Sequence, residues 1–189
     1  MHEIYVENRR KKLDSIREKY PNSVVVDVTS KAEFPWIKFS PFYPVGKIPI
    51  PFSEGCYSKT VEGLWQGLKV FESCDIDSSL FENSSMKALK RTVRKYGNVL
   101  GHRRGIAGEL MGYAEARRYL YLPSYIYVLE NYLVCEVNAL ESVLKAQDLV
   151  LLDYETNQDI ENLSKPLSHA SIIRSYIEDR RKRCQIKMN

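Results

Sequence analysis

Thr60-Val61-Glu62-Gly63-Leu64-Trp65-Gln66-Gly67-Leu68-Lys69-Val70-Phe71 carries two stripes of different chemistry on what reads as one helix. Val61, Leu64, Leu68 and Phe71 recur at the three-and-four spacing of a buried face. Glu62, Trp65, Gln66 and Lys69 recur at the same spacing on a second face, rotated away from the first. A merely solvated face rarely carries tryptophan, and a merely apolar core rarely carries glutamate and lysine. A carboxylate, an amide, a cation and a flat aromatic on one rigid surface suit a small polar ligand with a planar ring. Gly63 and Gly67 fall on a third side, where a missing side chain lets another part of the chain come close.

Outward from this segment the chain reads as mainly α with a few short strands, one domain over residues 1–189. Residues 3–20 read as an amphipathic helix, an integral part or an extension. Residues 23–29, Ser-Val-Val-Val-Asp-Val-Thr, read as a β-branched strand. Residues 30–58 hold Pro35, Pro41, Pro44, Pro49 and Pro51 with aromatics between them, so neither a long helix nor a central strand fits. A long ordered loop of this kind is either functional or a wrap over the core. Downstream, a basic helix runs from Asn83-Ser84-Ser85 to Lys95 and stops at Gly97. Gly101-His102-Arg103-Arg104-Gly105 reads as a turn. Helices follow at 106–120 and 123–146, with Pro123 opening the second. Residues 149–153 are a buried strand, a partner for 23–29. A final helix ends near Arg183, with His169, Ile172, Ile173, Tyr176 and Ile177 facing the core.

The composition excludes several classes. No apolar run approaches the roughly 20 residues of a membrane span. Met1-His2-Glu3-Ile4 does not open a signal peptide. The four cysteines, Cys56, Cys74, Cys135 and Cys184, show no CxxC pair, which argues against a zinc knuckle or a secreted disulfide framework and for a reduced, cytoplasmic protein. The net charge of +4 fits an anionic ligand without requiring nucleic acid. Two basic clusters, Arg9 to Lys12 and Arg180 to Arg183, read as solvated faces of terminal helices. The other two, Lys90 to Lys95 and Arg103-Arg104, flank glycines. Backbone amides at a helix start with two guanidiniums would make a phosphate cradle of His102, Arg103 and Arg104, while a glycine-stopped helix with solvated arginines explains the same residues.

Phe39-Ser40-Pro41-Phe42-Tyr43-Pro44 followed by the Thr60–Phe71 segment resembles the paired signature of the NADAR (YbiA-like) family. That family has a segment like FSNFYP, then a helix bearing Thr, Glu, His, an aromatic, Gln and Lys in that order. The resemblance covers residues 39–71 well and the remainder loosely. It implies a single-domain YbiA-like helical fold and an N-glycosidase that acts on a ribosyl nucleotide or an ADP-ribosyl compound. It further implies acid–base chemistry with no metal and no other cofactor. The partners are then a small-molecule nucleotide or ADP-ribosylated substrate, with nucleic acid only as a modified substrate and no membrane.

By this resemblance Glu62 is the catalytic glutamate, and Gln66, Lys69 and Trp65 take the family's glutamine, lysine and aromatic positions. Gly63 stands where the family has histidine. The family's downstream acid has its counterpart in Asp153-Tyr154-Glu155-Thr156-Asn157-Gln158-Asp159, with Asp159 as second catalytic acid and Asp153 and Glu155 as alternatives. Phe42 and Tyr43 would line the site, Trp65 would stack on a base, Gln66 would bond an edge or a hydroxyl, and Lys69 would keep Glu62 ionised or touch phosphate. Without the resemblance, Glu62 and Lys69 read as surface charges of small effect. His169, on an apolar stripe, reads as a satisfied core histidine. Two further functions stay open: a non-catalytic nucleotide or ADP-ribose module, and a nucleic-acid-binding protein that uses the basic clusters.

Overall fold

A computed structural model describes residues 2–186. In chain order its elements are β1 (Ile4–Asn8), α1 (Leu13–Lys19), β2 (Ser23–Asp27), a 3₁₀ turn (Trp36–Phe39), β3 (Ile48–Pro49), β4 (Tyr57–Ser58), α2 (Val61–Gly67) and β5 (Lys69–Phe71). There follow a second 3₁₀ turn (Ser78–Glu82), α3 (Val93–Tyr96), β6 (Val99–Arg103), β7 (Leu110–Met111), α4 (Tyr113–Ala116) and a π-helical turn (Arg117–Tyr121). The last are α5 (Leu122–Asn131), α6 (Val134–Val143), β8 (Asp148–Asp153) and α7 (His169–Ile186). Two compact units can be distinguished, one of residues from 1–40 and 133–189, the other Pro41–Tyr132.

The mainly α, YbiA-like helical fold expected from the sequence is not what forms. Among the described residues the fold is mixed α/β, 40% helical and 17% strand, with three small sheets, one of them parallel. In the first unit, β8 lies between β1 and β2 and runs parallel to both, with Ile4 opposite Leu149 and Val24 opposite Leu149. The pairing expected between residues 23–29 and 149–153 is therefore made. The helix expected over 3–20 is not. Ile4-Tyr5-Val6 is β-branched and aromatic, suits a pleated half-buried surface, and β8 offers it a free edge. Only Leu13–Lys19 coils, and Ile16 packs with Val150 and Leu152 against Tyr5, Tyr20 and Val25.

In the second unit, β5, β6 and β7 form an antiparallel sheet and β3 pairs with β4. The helix expected over 60–71 stops at Gly67, and Lys69–Phe71 is strand. The reason lies on the glycine side. A Cβ on Gly63 would stand 2.5 Å from the Leu80 carbonyl oxygen, and one on Gly67 would stand 2.3 Å from Phe81. The 3₁₀ turn at Ser78–Glu82 thus presses on α2 where its side chains are absent, and Asp77 N–H donates to the Gly67 carbonyl at 2.8 Å. The basic helix expected through Lys95 shrinks to Val93–Tyr96, though Gly97 ends it with φ 81° as expected. The helices expected at 106–120 and 123–146 are each broken, the first by β7 and the π-helical turn, the second at Tyr132-Leu133. No helix among the described residues is long and apolar enough to cross a membrane.

Candidate functional site

The start of α2 joins the two segments on which the NADAR resemblance rests. Thr60 caps the helix, its Oγ1 accepting from Gly63 N–H at 2.8 Å. The next free amide, Glu62 N–H, donates to the Pro41 carbonyl at 2.9 Å, and Val45 N–H donates to the Lys59 carbonyl at 3.1 Å. The proline-rich loop has spare carbonyls and the helix start has spare amides, so each satisfies the other. This docks Pro41-Phe42-Tyr43-Pro44 against the helix that carries Glu62. The Lys90 ammonium lies 5.8 Å from the Phe42 ring centroid. Tyr43 is half-buried.

The Glu62 side chain is only 8% exposed. Gln66 Nε2 donates to Glu62 Oε1 at 2.9 Å, one helical turn along. The orientation of that amide is fixed from behind, because Gln66 Oε1 accepts the Arg91 backbone N–H at 3.2 Å. An oxygen facing an N–H leaves the nitrogen to face the carboxylate. Arg91 is itself buried, and its guanidinium donates to the carbonyls of Gln66 at 3.2 Å, of Asp75 at 2.7 Å and of Lys69. It closes the orphan carbonyl end of α2 and pins the turn into β5. The sequence pointed to Arg91 only as one of a basic cluster.

Lys69 faces the same centre from β5. Burial pushes its pKa down; Glu62 opposes this, and Arg91 and Lys90 add to it. Directly opposite Lys69 in the β5–β6 ladder stands His102, so the two share one face of the sheet. His102 is fully buried, with its ring 3.8 Å from Trp65 between centroids and tilted by 33°. Burial, with Lys69 and Arg91 adding, pushes its pKa down to about 3, so the imidazole is neutral at ordinary pH. Trp65 is 8% exposed and is further bounded edge-on by Tyr113 at 5.7 Å and Tyr121 at 5.5 Å. Trp65, expected to stack on a base, is thus enclosed by aromatic neighbours. Arg117, in the π-helical turn, is buried over the Tyr113 ring at 4.5 Å. Nothing in its sequence surroundings, Tyr-Ala-Glu-Ala-Arg-Arg, marked it.

Other expected site residues lie elsewhere. Gly101–Arg103 is strand rather than a turn before a helix, so alternation sends His102 to one face and Arg103 to the other. Arg103 forks onto Asp75 at 3.0 and 2.6 Å. Arg104 pairs with Glu109 at 3.0 Å and lies 4.6 Å over Phe52. Two guanidiniums committed to carboxylates, with no helix start beside them, do not form the expected phosphate cradle. An open hollow of about 440 Å³ between β3–β4 and Glu82 is lined by Lys47, Tyr57 and Lys59 among others, and by none of the expected site residues.

In the first unit, Asp159 is exposed. Its carboxylate accepts from Glu161 N–H at 2.8 Å, and its own N–H donates to Asn157 Oδ1 at 3.1 Å, so it holds a turn. Asp153 is buried and accepts from Ser168 Oγ at 2.8 Å, and it pairs with His169 Nδ1 at 2.9 Å. His169 Nε2 faces the Val28 carbonyl at 2.9 Å. A ring with an acceptor at each nitrogen carries both protons, and His169 is the satisfied core histidine the sequence suggested. Glu155 is half-buried.

Neither the curated proteins nor the solved structures compared with the chain give a match. Residues 8–173 match a family of unknown function, DUF6939. Spanning both units and the whole Glu62 centre, that match makes this chain a member of the DUF6939 family.

Proposed function

We propose that the protein hydrolyses the N-glycosidic bond of a ribosyl nucleotide or an ADP-ribosyl compound, as a distant relative of the NADAR family. One observation carries the reading: Glu62 is buried, its carboxylate oriented by Gln66 and neighboured by Lys69, and its backbone tied to the Pro41–Pro44 loop. A glutamate that served only solubility would have no use for this support. Fixing a reacting group by a second layer of contacts is what a catalytic constellation requires.

Cleavage of such a bond builds positive charge on the anomeric carbon. The carbon–nitrogen pair leaves with the base, a water oxygen bonds to the sugar carbon, and the water's proton is taken up. Glu62 stabilises the charge or receives that proton. Lys69 favours the ionised carboxylate. The enclosed aromatic box shields the leaving base from bulk water. Asp159, engaged in its own turn, has no role in this account. A cytoplasmic setting belongs to the same proposal, supported by four cysteines that stand as free thiols.

A mass-spectrometric screen of ribosyl nucleotides and ADP-ribosylated compounds for freed base tests this, wild type beside Glu62→Gln. Freed base with the wild type alone supports it. Binding without release by the wild type supports a nucleotide-binding module instead, and affinity that falls steeply with salt supports a nucleic-acid-binding protein.

A further inference from the structure

We propose that His102 touches the bound nucleoside itself, offering a ring nitrogen to a hydrogen-bonding edge of the planar base held beside Glu62. The inference rests on the N-ribosyl reading above and adds to it the group that recognises the base. His102 is 0% exposed, and neither Nδ1 nor Nε2 has a hydrogen-bond partner among the described residues. Buried polar groups are nearly always paired, and an orphan lowers stability, so each one needs an explanation. Packing does not supply it. Against Trp65 at 3.8 Å, and with Tyr113 at 6.4 Å, a phenylalanine or a leucine would fill the same space without stranding two nitrogens.

The position supplies the explanation. The ladder sets His102 opposite Lys69, and its ring packs on Trp65, which follows Glu62 by three residues on α2. The orphan imidazole thus sits among the side chains proposed to surround the departing base. Its protonation state suits that task. Burial and the neighbouring Lys69 and Arg91 keep the ring uncharged, so it holds one donor and one acceptor nitrogen. A neutral ring complements an uncharged heterocycle and does not form an ion pair with Glu62. A residue retained for binding at the expense of stability is a recurrent mark of functional sites.

The test uses the full chain and two variants, His102→Phe and His102→Leu, one larger and one near the original in volume. Stability is read by urea unfolding. Affinity for AMP, GMP and ADP-ribose is read by calorimetry in a Glu62→Gln background, which blocks turnover. ¹⁵N NMR of the histidine ring nitrogens follows the same titrations. Variants as stable as the parent or more so, with binding about tenfold weaker and His102 nitrogen resonances that move with probe while staying neutral, support the proposal. Loss of stability in both variants would mean that the nitrogens are already satisfied inside the protein, and would overturn it. Unchanged affinity in the variants overturns this inference and leaves the N-ribosyl reading standing. A parent chain that binds none of the three probes refutes both together.

Discussion

Gly63 stands where the NADAR pattern has histidine, and Gly63→Ala tests whether the close approach at that position is real. An alanine Cβ would sit 2.5 Å from the Leu80 carbonyl oxygen, 2.7 Å from Thr60 Oγ1 and 3.2 Å from Ser58 Oγ. The first atom is backbone, held because the same 3₁₀ turn supplies the Phe81 carbonyl that accepts from Lys59 N–H at 2.8 Å. The second is the capping oxygen of α2. Helix propensity alone would favour alanine by at most about 1 kcal/mol. Overpacking against a fixed backbone costs about 1–3 kcal/mol, and disturbing the Thr60 cap adds about 1 kcal/mol. The net expectation is a loss of about 1–3 kcal/mol. At about 2–4 °C per kcal/mol for a chain of this size, Tm falls by about 2–12 °C. Urea unfolding followed by tryptophan fluorescence reads the difference. A Gly63→Ala protein more stable than wild type by the propensity gain would refute the close approach of Leu80 to α2.

Three further outcomes follow from the same contacts. Arg91→Met removes the donors to the Gln66, Lys69 and Asp75 carbonyls, the first buried and the other two partly exposed; with about 1–3 kcal/mol for a buried carbonyl that loses its donor, a loss of about 1–3 kcal/mol is expected in urea melts, and a variant as stable as wild type would contradict the strut. In the first unit, burial lowers the His169 pKa but Asp153 and the Val28 carbonyl outweigh it and raise it above 6.5, while burial raises the Asp153 pKa but His169, Ser168 and Ala170 outweigh it and hold it below 3.8. A raised histidine stabilises fully below its unfolded pKa and fades as pH climbs through the folded one; a lowered aspartate stabilises above its unfolded pKa and fades as pH falls through the folded one. The pair therefore contributes most between about pH 4 and pH 6.5, and the stability gap between wild type and His169→Gln should narrow as pH is raised above that window; a gap that widens there contradicts a charged His169. Arg103→Ala and Arg104→Ala should leave nucleotide affinity within about twofold and cost under about 1 kcal/mol, since both pairs are solvent-exposed; calorimetry with ADP-ribose showing a large loss would restore the phosphate cradle.

The elements legible in the sequence were those with a local cause. The β-branched run at 23–29 and the apolar run at 149–153 announced strands, and Gly97 announced a stop. Glu62, Trp65, Gln66, Lys69 and His102 were all singled out, and the structure gathers them in one unit. The reason given for two of them was wrong. Lys69 belongs to β5 rather than to the helix face, and His102 stands opposite it across the ladder; a non-local strand pairing does what helical spacing would. The first strand was hidden because Ile4-Tyr5-Val6 suits a helix as well as a sheet until β8 presents an edge. Arg91 showed only as one of a basic cluster because the carbonyls it meets, of Gln66, Lys69 and Asp75, are distant in sequence, and Arg117 gave no signal although the Tyr113 ring lies one helical turn away. Asp159 was carried by resemblance alone, and its carboxylate is occupied by Glu161 N–H.

The central claim is that the Glu62 carboxylate performs chemistry. The most direct measurement takes the best substrate from the screen and compares wild type with Glu62→Gln in single-turnover base release and, in parallel, in calorimetric affinity. The account predicts binding retained and release slowed by roughly 10²–10⁴-fold, the usual contribution of a positioned acid–base group. Base released by Glu62→Gln at the wild-type rate would contradict it.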